Sequence, residues 1–374
     1  MTDTARPTET TAPVTPILRG ATLFVGQAYD PGDPLLAGTI AWVDRFHAHC
    51  PDGVVGVFQR VDRTLAALNG FEAMSAGHGR SWTTLRAFYS AVWQAHRRHR
   101  FVRAFVYMDG PFVPLLWPLA KLLGFRLYQW RAHPVVPLRD RIAARYLVDR
   151  IYTSVPSALP VETRRRVLVA TGVDLRRFRP DPMRRPDADF IFVGRISPAK
   201  RVREAVGIIR RLRDEHGLGA RLLVVGGPAT AHDQAYMNQV RADVAAAGLD
   251  DAVTLLGARR QDELPALLGR ARFYLNVART AVDRSLVEAM HCGLPPVNAN
   301  RSVHEMLDGL IPAGMSMPDA DDDAVVAMAA AALRQRPDDY AALSDMVADL
   351  AARRFTLDAL VARIATDIAA YEAR

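Results

Sequence analysis

The run GRISPAK (194–200) brings together a glycine, a guanidinium and one of only two lysines in a chain with 48 basic residues. Ser197 and Pro198 predict an N-cap and a first helical position. Lys200 then falls in the first turn of a helix, with Arg201 and Arg203 directly after it. Cations there oppose the positive end of the helix dipole by ~0.3–1 kcal/mol each, and Glu204 is the only counter-charge nearby in sequence. One reading supplies the missing anion as a phosphate. Gly194 lets the chain turn off the strand DFIFV, helix-start amides attract the anion, Arg195 grips its oxygens through paired hydrogen bonds and Lys200 adds a compact charge. The other reading is a solvated basic first turn with no ligand.

A second chemical stretch is ARTAVDRSLVEAMHCGLPP (278–296), which reads as strand end, loop, short helix, and a stop at Gly293 and two prolines. Asp283 is placed to cap that helix, leaving amides near Arg284 and Ser285 for a phosphate. Glu288, one turn in, either accepts hydrogen bonds from the two hydroxyls of a ribose or pairs with Arg284 on an exposed face. A third stretch, DADDD (319–323), has a spacing suited to a hard divalent cation. It precedes an Ala/Val helix, so carboxylates favouring a helix start account for it better, and no metal site is expected.

These residues need a frame, and the sequence supplies one. Short β-branched and aromatic runs alternate with helical patterns. Strands are predicted at 21–26, 54–58, 101–108, 125–130, 150–155 and 166–170, then at 189–194, 220–227, 252–257, 272–277 and 295–299. Helices are predicted near 36–49, 81–98, 111–123 and 137–147, then near 198–214, 232–247, 262–270, 284–292 and 321–335. Such alternation implies right-handed βαβ units in two doubly wound parallel sheets, an α/β fold with a cleft at the strand C-terminal ends. The proline-rich RRFRPDPMRRPDAD (176–189) reads as a linker. The expected organisation is a disordered tail (1–16), a first domain (17–182), a second domain (183–355) and a C-terminal helix (356–374) packing back toward the first domain.

Composition narrows the partners. Two cysteines, Cys50 and Cys292, are too few for a disulfide framework and suit a reducing, cytoplasmic compartment. Residues 1–182 carry 24 Lys+Arg against 14 Asp+Glu, while residues 183–374 carry 24 against 26. The basic first half either suits an anionic partner, such as a membrane surface, a nucleic acid or a phosphorylated substrate, or reflects an Arg-rich, Ala-rich composition with no such partner. The helix expected at 81–100 has an apolar stripe of Trp82, Leu85, Phe88, Tyr89, Val92 and Trp93, ending in Arg97, Arg98 and Arg100. It reads as a helix covering a sheet, with an interfacial helix on anionic lipid as the alternative. No nucleic-acid-binding module is present, and none is expected as a partner.

GRISPAK followed by SLVEAMHCGLPPV resembles the donor-nucleotide half of family-4 retaining glycosyltransferases of the GT-B fold. VATGVDLRRFRP (169–180), LLVVGG (222–227) and AVTLLGARRQDELPALLGRARFYLNV (252–277) fit the same pattern. QAYDPGDPLLAGTIAWVDRF (27–46) and LYQWRAHPVVPLRDRIAARYLVDRIYTSVPSALP (127–160) fit it more loosely. The resemblance implies two facing Rossmann-like domains with an interdomain cleft, metal-independent transfer with retention, no cofactor, and a nucleotide-diphosphate sugar as donor to a hydroxyl acceptor. It implies that Arg195 and Lys200, after Gly194, bind the donor diphosphate, and that Glu288 holds the ribose. It places Gly257 and Ala258 beside the base, and the amides of 281–285, including Val282, Asp283, Arg284 and Ser285, at the distal phosphate. His133 matches a histidine found in part of the family near the transferred sugar, with a structural histidine as the alternative.

Two departures stand out. The family's donor-sugar glutamate, eight residues before the one matching Glu288, is Thr280 here, and TAVDR resembles a T-x-x-D-[KR] variant in which Asp283 stands in. The paired glycines of the first loop are replaced by a neighbourhood of Gly26, Asp30 and Gly32. A nucleotide-sugar epimerase or hydrolase on the same fold, and a non-catalytic nucleotide-sugar-binding module, are the competing functions.

Overall fold

The structure, a computed structural model, describes residues 17–30, 38–68, 71–77, 81–108, 110–174, 176 and 178–374. The expected disordered tail (1–16) and Gly32 lie outside these residues. Among the described residues no helix is long and apolar enough to cross a membrane.

Two parallel sheets carry the fold. The first contains β1 (Thr22–Tyr29), β2 (Val54–Val61), β3 (Ala73–Ser75), β4 (Arg103–Tyr107), β5 (Arg126–Trp130), β6 (Arg150–Thr153) and β7 (Arg166–Leu168) in the order β3-β2-β1-β4-β5-β6-β7. The second contains β8 (Ala188–Val193), β9 (Leu222–Val225), β10 (Val253–Gly257), β11 (Ala271–Asn276) and β12 (Pro296–Asn298) in the order β10-β9-β8-β11-β12. Thr22 lies opposite Val54 in one ladder and Phe190 opposite Leu222 in the other. Strand order reverses beside β1 and beside β8, the mark of doubly wound sheets. Parallel strands covered on both faces read as unbroken apolar runs, as FIFV and LLVV do, and these side chains are buried.

The described residues form two compact units. One holds the chain up to Tyr107 with Pro118–Leu127 and Val361–Arg374, and the other holds Met108–Trp117 and Tyr128–Leu360. In the first, Phe24, Phe46, Phe58 and Phe105 interlock, with ring centroids of Phe46 and Phe105 4.4 Å apart. Helix Trp82–His99 packs on β2 and β3 and buries Phe88, Ala91, Val92 and Ala95, so it is a covering helix. Trp82 and Trp93 of its expected stripe face solvent.

The C-terminal helix, Leu357–Glu372, is tied into that unit by charge. Arg103, 1% exposed, donates to both carboxylate oxygens of Glu372 at 2.9 and 2.6 Å, and to the carbonyls of Arg19 and Gly20. Arg126 lies 5.1 Å over the ring of Tyr371. Removing one partner of a buried pair strands the other charge. Arg103→Met is therefore expected to lower unfolding free energy by about 3 kcal/mol in urea titrations, and Arg103→Met/Glu372→Met to recover part of the loss.

In the second unit, helix Val202–His216 buries the predicted stripe Val202, Ala205, Val206, Ile209 and Leu212 and ends at Gly217, whose φ is 65°. Among the described residues, β3, the helices Arg63–Leu68, Arg301–Leu307 and Pro337–Arg354, and the 3₁₀ turns Pro156–Ala158 and Ala313–Met315 were not expected from the sequence.

Candidate functional site

Ligands of doubly wound sheets bind outside the strand C-terminal ends where strand order reverses. In the second sheet that point lies between β8 and β11, and both chemical stretches leave from it. GRISPAK follows β8, and ARTAVD follows β11. The ends of β8, β9 and β10 are drawn together by backbone bonds, Gly194 N–H to Val225 O at 2.9 Å and Gly226 N–H to Gly257 O at 2.8 Å. Gly226 has φ 143°, and a Cβ on it would lie 1.8 Å from the carbonyl oxygen of Gly194. Only glycine permits this approach. Gly257, with φ 74°, turns the chain so that Ala258 packs on Gly227 beside Gly194.

The helix start expected at Ser197 is corrected by the structure. Pro198–Lys200 form one 3₁₀ turn, Ser197 makes no capping bond, and Arg201 takes a left-handed conformation (φ 55°, ψ 42°) before the α-helix opens at Val202. Lys200 therefore precedes the α-helix, Arg201 is its N-cap residue, and of the three cations only Arg203 lies within the first α-helical turn. Glu204 is the counter-charge nearby in sequence, and remote segments supply further carboxylates. Lys200 pairs with Asp283 and lies 3.4 Å from the hydroxyl of Thr280. Arg201 pairs with Glu204 and Asp322, each at 3.1 Å. Arg203 pairs with Asp243 at 2.5 Å, and Arg195 lies 3.9 Å from the buried Asp233. Arg195 is the most open of the four, its side chain 45% exposed.

Helix Arg284–His291 begins after Asp283, but the Asp283 side chain caps nothing. It is turned to Lys200 and Thr280 instead. The helix start thus has no side-chain cap; the Leu286 amide donates to Asp283 O at 3.2 Å, and the amides of Arg284 and Ser285 before it have no intrahelical acceptor. The Ser285 hydroxyl is engaged, donating to Val193 O at 2.8 Å and lying 2.7 Å from the Tyr274 hydroxyl, so only its backbone remains for a ligand. Burial raises the pKa of Tyr274, which keeps that phenol neutral. Glu288 does pair with Arg284, at 3.4 Å, but it is 4% exposed, not on an open face. Burial and then the Glu288 charge push the Cys292 thiol up to about 12, which makes it unreactive.

A buried asparagine network, which the sequence reading missed, holds the loop after β11. Asn276 donates to Asn298 at 2.9 Å, and Asn298 accepts from the Asn300 amide at 3.1 Å. Asn300 donates to the carbonyls of Ala278 and Thr280 at 2.9 and 3.0 Å, and caps helix Arg301–Leu307 at Val303. Arg279 N–H reaches Ala199 O at 2.9 Å, joining this loop to GRISPAK. Asparagines closing the apolar strands FYLN and PVN were the available signal.

His133 is exposed. Its amide donates to Ala158 O at 2.7 Å, and its Nδ1 lies 3.1 Å from the Val135 amide. The buried Arg131–Asp140 pair, at 3.1 Å, fixes the loop around it. Ala132 next door packs with Ala158 against Ala281 and Val282, so His133 adjoins the loop that carries Asp283.

In DADDD each charge is used locally. Asp319 pairs with Arg279 and Arg301, Asp321 caps helix Asp322–Leu333 at Ala324, Asp322 pairs with Arg201 and Asp323 with Arg211. Among the described residues no His/Cys/Asp/Glu group is arranged to hold a metal ion.

His291, 1% exposed, donates from Nε2 to Phe355 O at 3.2 Å, and burial lowers its pKa below 6.5. Its folded pKa is depressed, so the unfolded chain takes up a proton that the folded one refuses. Stability is full above about 6.5 and falls as pH drops from there toward the folded value. His291→Gln is expected to flatten the fall in melting temperature between neutral pH and about pH 5. Burial lowers the pKa of His96 too, and its contribution to the fall remains in that variant.

Residues 187–335 match the family model described as Glycosyl transferases group 1. A GDP-mannose:cellobiosyl-diphosphopolyprenol alpha-mannosyltransferase of Komagataeibacter xylinus is 27% identical over 169 residues, 44% of this chain and 41% of that protein. The chain thus matches about two-fifths of that relative's length. Among solved structures, Anabaena HepE in complex with UDP superimposes with a TM-score of 0.75 at 14% identity, covering 94% of this chain and 100% of that one. Sucrose-phosphate synthase from Thermosynechococcus elongatus gives 0.74 at 15%, covering 95% and 100%. WaaG, a glycosyltransferase involved in lipopolysaccharide biosynthesis, gives 0.64 at 15%, covering 93% and 99%. At these identities the likeness is one of fold, and the fold is GT-B.

Proposed function

We propose that this chain, whose residues 187–335 carry a glycosyl transferase group 1 domain, moves a sugar from a nucleotide-diphosphate sugar to a hydroxyl acceptor. The observation that carries the reading is the convergence at one switch point of Arg195, Lys200, a helix start with no side-chain cap and the buried Glu288. Those are the parts needed to hold a diphosphate and a ribose. HepE, similar in fold, is described in complexes with UDP, with UDP and glucose, and with UDP-glucose, which supports a donor of this class.

In this mechanism Arg195 and Lys200 bind the diphosphate and stabilise the charge that grows on it as the sugar C1–O bond breaks. The acceptor oxygen bonds to C1, and its proton passes to the departing phosphate on the same face, so configuration is retained without a dedicated protein base. Glu288 accepts from the ribose hydroxyls, and Gly257 and Ala258 border the base. The amides of 281–285 meet the distal phosphate. Lys200 exchanges Asp283 for phosphate on donor binding. Asp283 then turns to the sugar hydroxyls, the task that Thr280 is too short and uncharged to perform, and His133 stands near the same sugar. These two cations do the work of a metal ion, so turnover should persist in chelator.

The test is product analysis with UDP-, GDP- and ADP-sugars, each with and without alcohol acceptors, in chelator. Acceptor-dependent release of nucleoside diphosphate and an α-product from an α-donor support the proposal. Free sugar released at the same rate without acceptor would mark a hydrolase and overturn it.

A further inference from the structure

Helix Leu138–Ile142 and the π-helical turn Ala143–Leu147 that extends it have an inverted pattern. The buried face is small and polar, made by Asp140, Ala143 and Ala144. The outward face is apolar, with Leu138 73%, Ile142 45% and Tyr146 67% exposed at intervals of four residues, and Val135 67% exposed just before them. Large side chains in a contiguous exposed stripe mark an interaction surface, whereas scattered ones do not.

Arg141 and Arg145 stand on the same outward face, and both are exposed. Their side chains bond to carbonyls, Arg141 to Val136 O at 3.0 Å and Arg145 to Glu162 O at 3.4 Å. Among the described residues no carboxylate pairs with either one, in contrast to the four cations at the switch point. A second copy of the chain meeting this face symmetrically would set arginine against arginine. An apolar stripe flanked by unneutralised arginines matches a surface that is greasy within and anionic at its rim.

We propose that the face of residues 135–146 docks on an anionic lipid bilayer, with Leu138, Ile142 and Tyr146 entering the interface and Arg141 and Arg145 meeting lipid phosphates. In the sequence, residues 81–100 offer such a contact only as the alternative to a sheet-covering helix. There the inner face is spent on the sheet and Arg98 is paired with Glu72. The proposal does not depend on the transferase reading, and it places a membrane beside His133.

The experiment is sedimentation of the full chain with phosphatidylcholine vesicles, with and without phosphatidylglycerol. Binding is expected only with the anionic lipid and should weaken as salt rises. Arg141→Gln/Arg145→Gln should weaken it about 30-fold, at roughly a factor of ten or less per arginine. Leu138→Ser/Ile142→Ser should weaken it comparably, and Trp82→Ser/Trp93→Ser should leave it unchanged. The salt arm needs no variant, and all substitutions fall on exposed side chains. Absence of binding to phosphatidylglycerol vesicles, binding that only the tryptophan variant reduces, or concentration-dependent dimerisation abolished by Leu138→Ser/Ile142→Ser would overturn the proposal. Nucleotide binding measured on the same samples reports separately on the transferase reading.

Discussion

Lys200→Ala is expected to reduce kcat/KM about 10²–10³-fold, the scale seen when one preorganised group facing developing charge is lost. It should also destabilise the protein, because Lys200 is the partner of Asp283 and both side chains are largely buried, 15% and 13% exposed. Removing one member of such a pair costs up to ~3–5 kcal/mol when fully buried, and less here because some solvent reaches both. The two effects are separable. Asp283→Asn in the Lys200→Ala background removes the stranded charge and should restore most of the stability without restoring turnover. Urea titrations and steady-state kinetics on the three proteins check this. Recovery of turnover in the double variant would show that Lys200 acts by balancing Asp283 and not by holding phosphate.

Gly226→Ala should have the other large effect. Its φ of 143° is closed to residues with a Cβ, at about 1–3 kcal/mol, and the new methyl would lie 1.8 Å from Gly194 O. The strain cannot be relieved by rotating a side chain, because a Cβ is fixed by its own backbone and the atom it meets is a backbone carbonyl oxygen. The ends of β8 and β9 must part, which moves Arg195 and Lys200 away from Gly257. We expect nucleotide affinity to fall at least tenfold and the melting temperature to drop by several degrees, an order set by the strain alone. Gly207→Ala, within helix Val202–His216 and with open space for a Cβ, should be harmless or slightly stabilising.

Much of the frame was legible because parallel strands must be apolar throughout and covering helices must be striped. DFIFV and VVGVF could be little else. β3 and Arg63–Leu68 escaped because they are too short for periodicity to register. Pro337–Arg354 escaped because its alanines blur the contrast between faces. At the site, the residue types were legible and their conformations were not. Ser197-Pro198 has the signature of an α-helix start, yet it opens a 3₁₀ turn. The left-handed Arg201 is held by Glu204 and by Asp322, far away in the chain. Asp233, Asp243 and Asp283 likewise reach the basic cluster only after folding. Glu288 could be placed on its helix from sequence, but its burial depends on packing of the whole unit.

The most direct measurement is the thermal stability of the purified protein with UDP, GDP and ADP, each in chelator. A ligand present at a hundred times its dissociation constant adds ~2.7 kcal/mol, a shift of several degrees or less in a protein of this size. The account predicts that one nucleoside diphosphate raises the melting temperature without metal, and that Lys200→Ala/Asp283→Asn loses the shift. If none of the three stabilises the protein, the cations at the switch point serve only their carboxylate partners, and the donor site assigned here is contradicted.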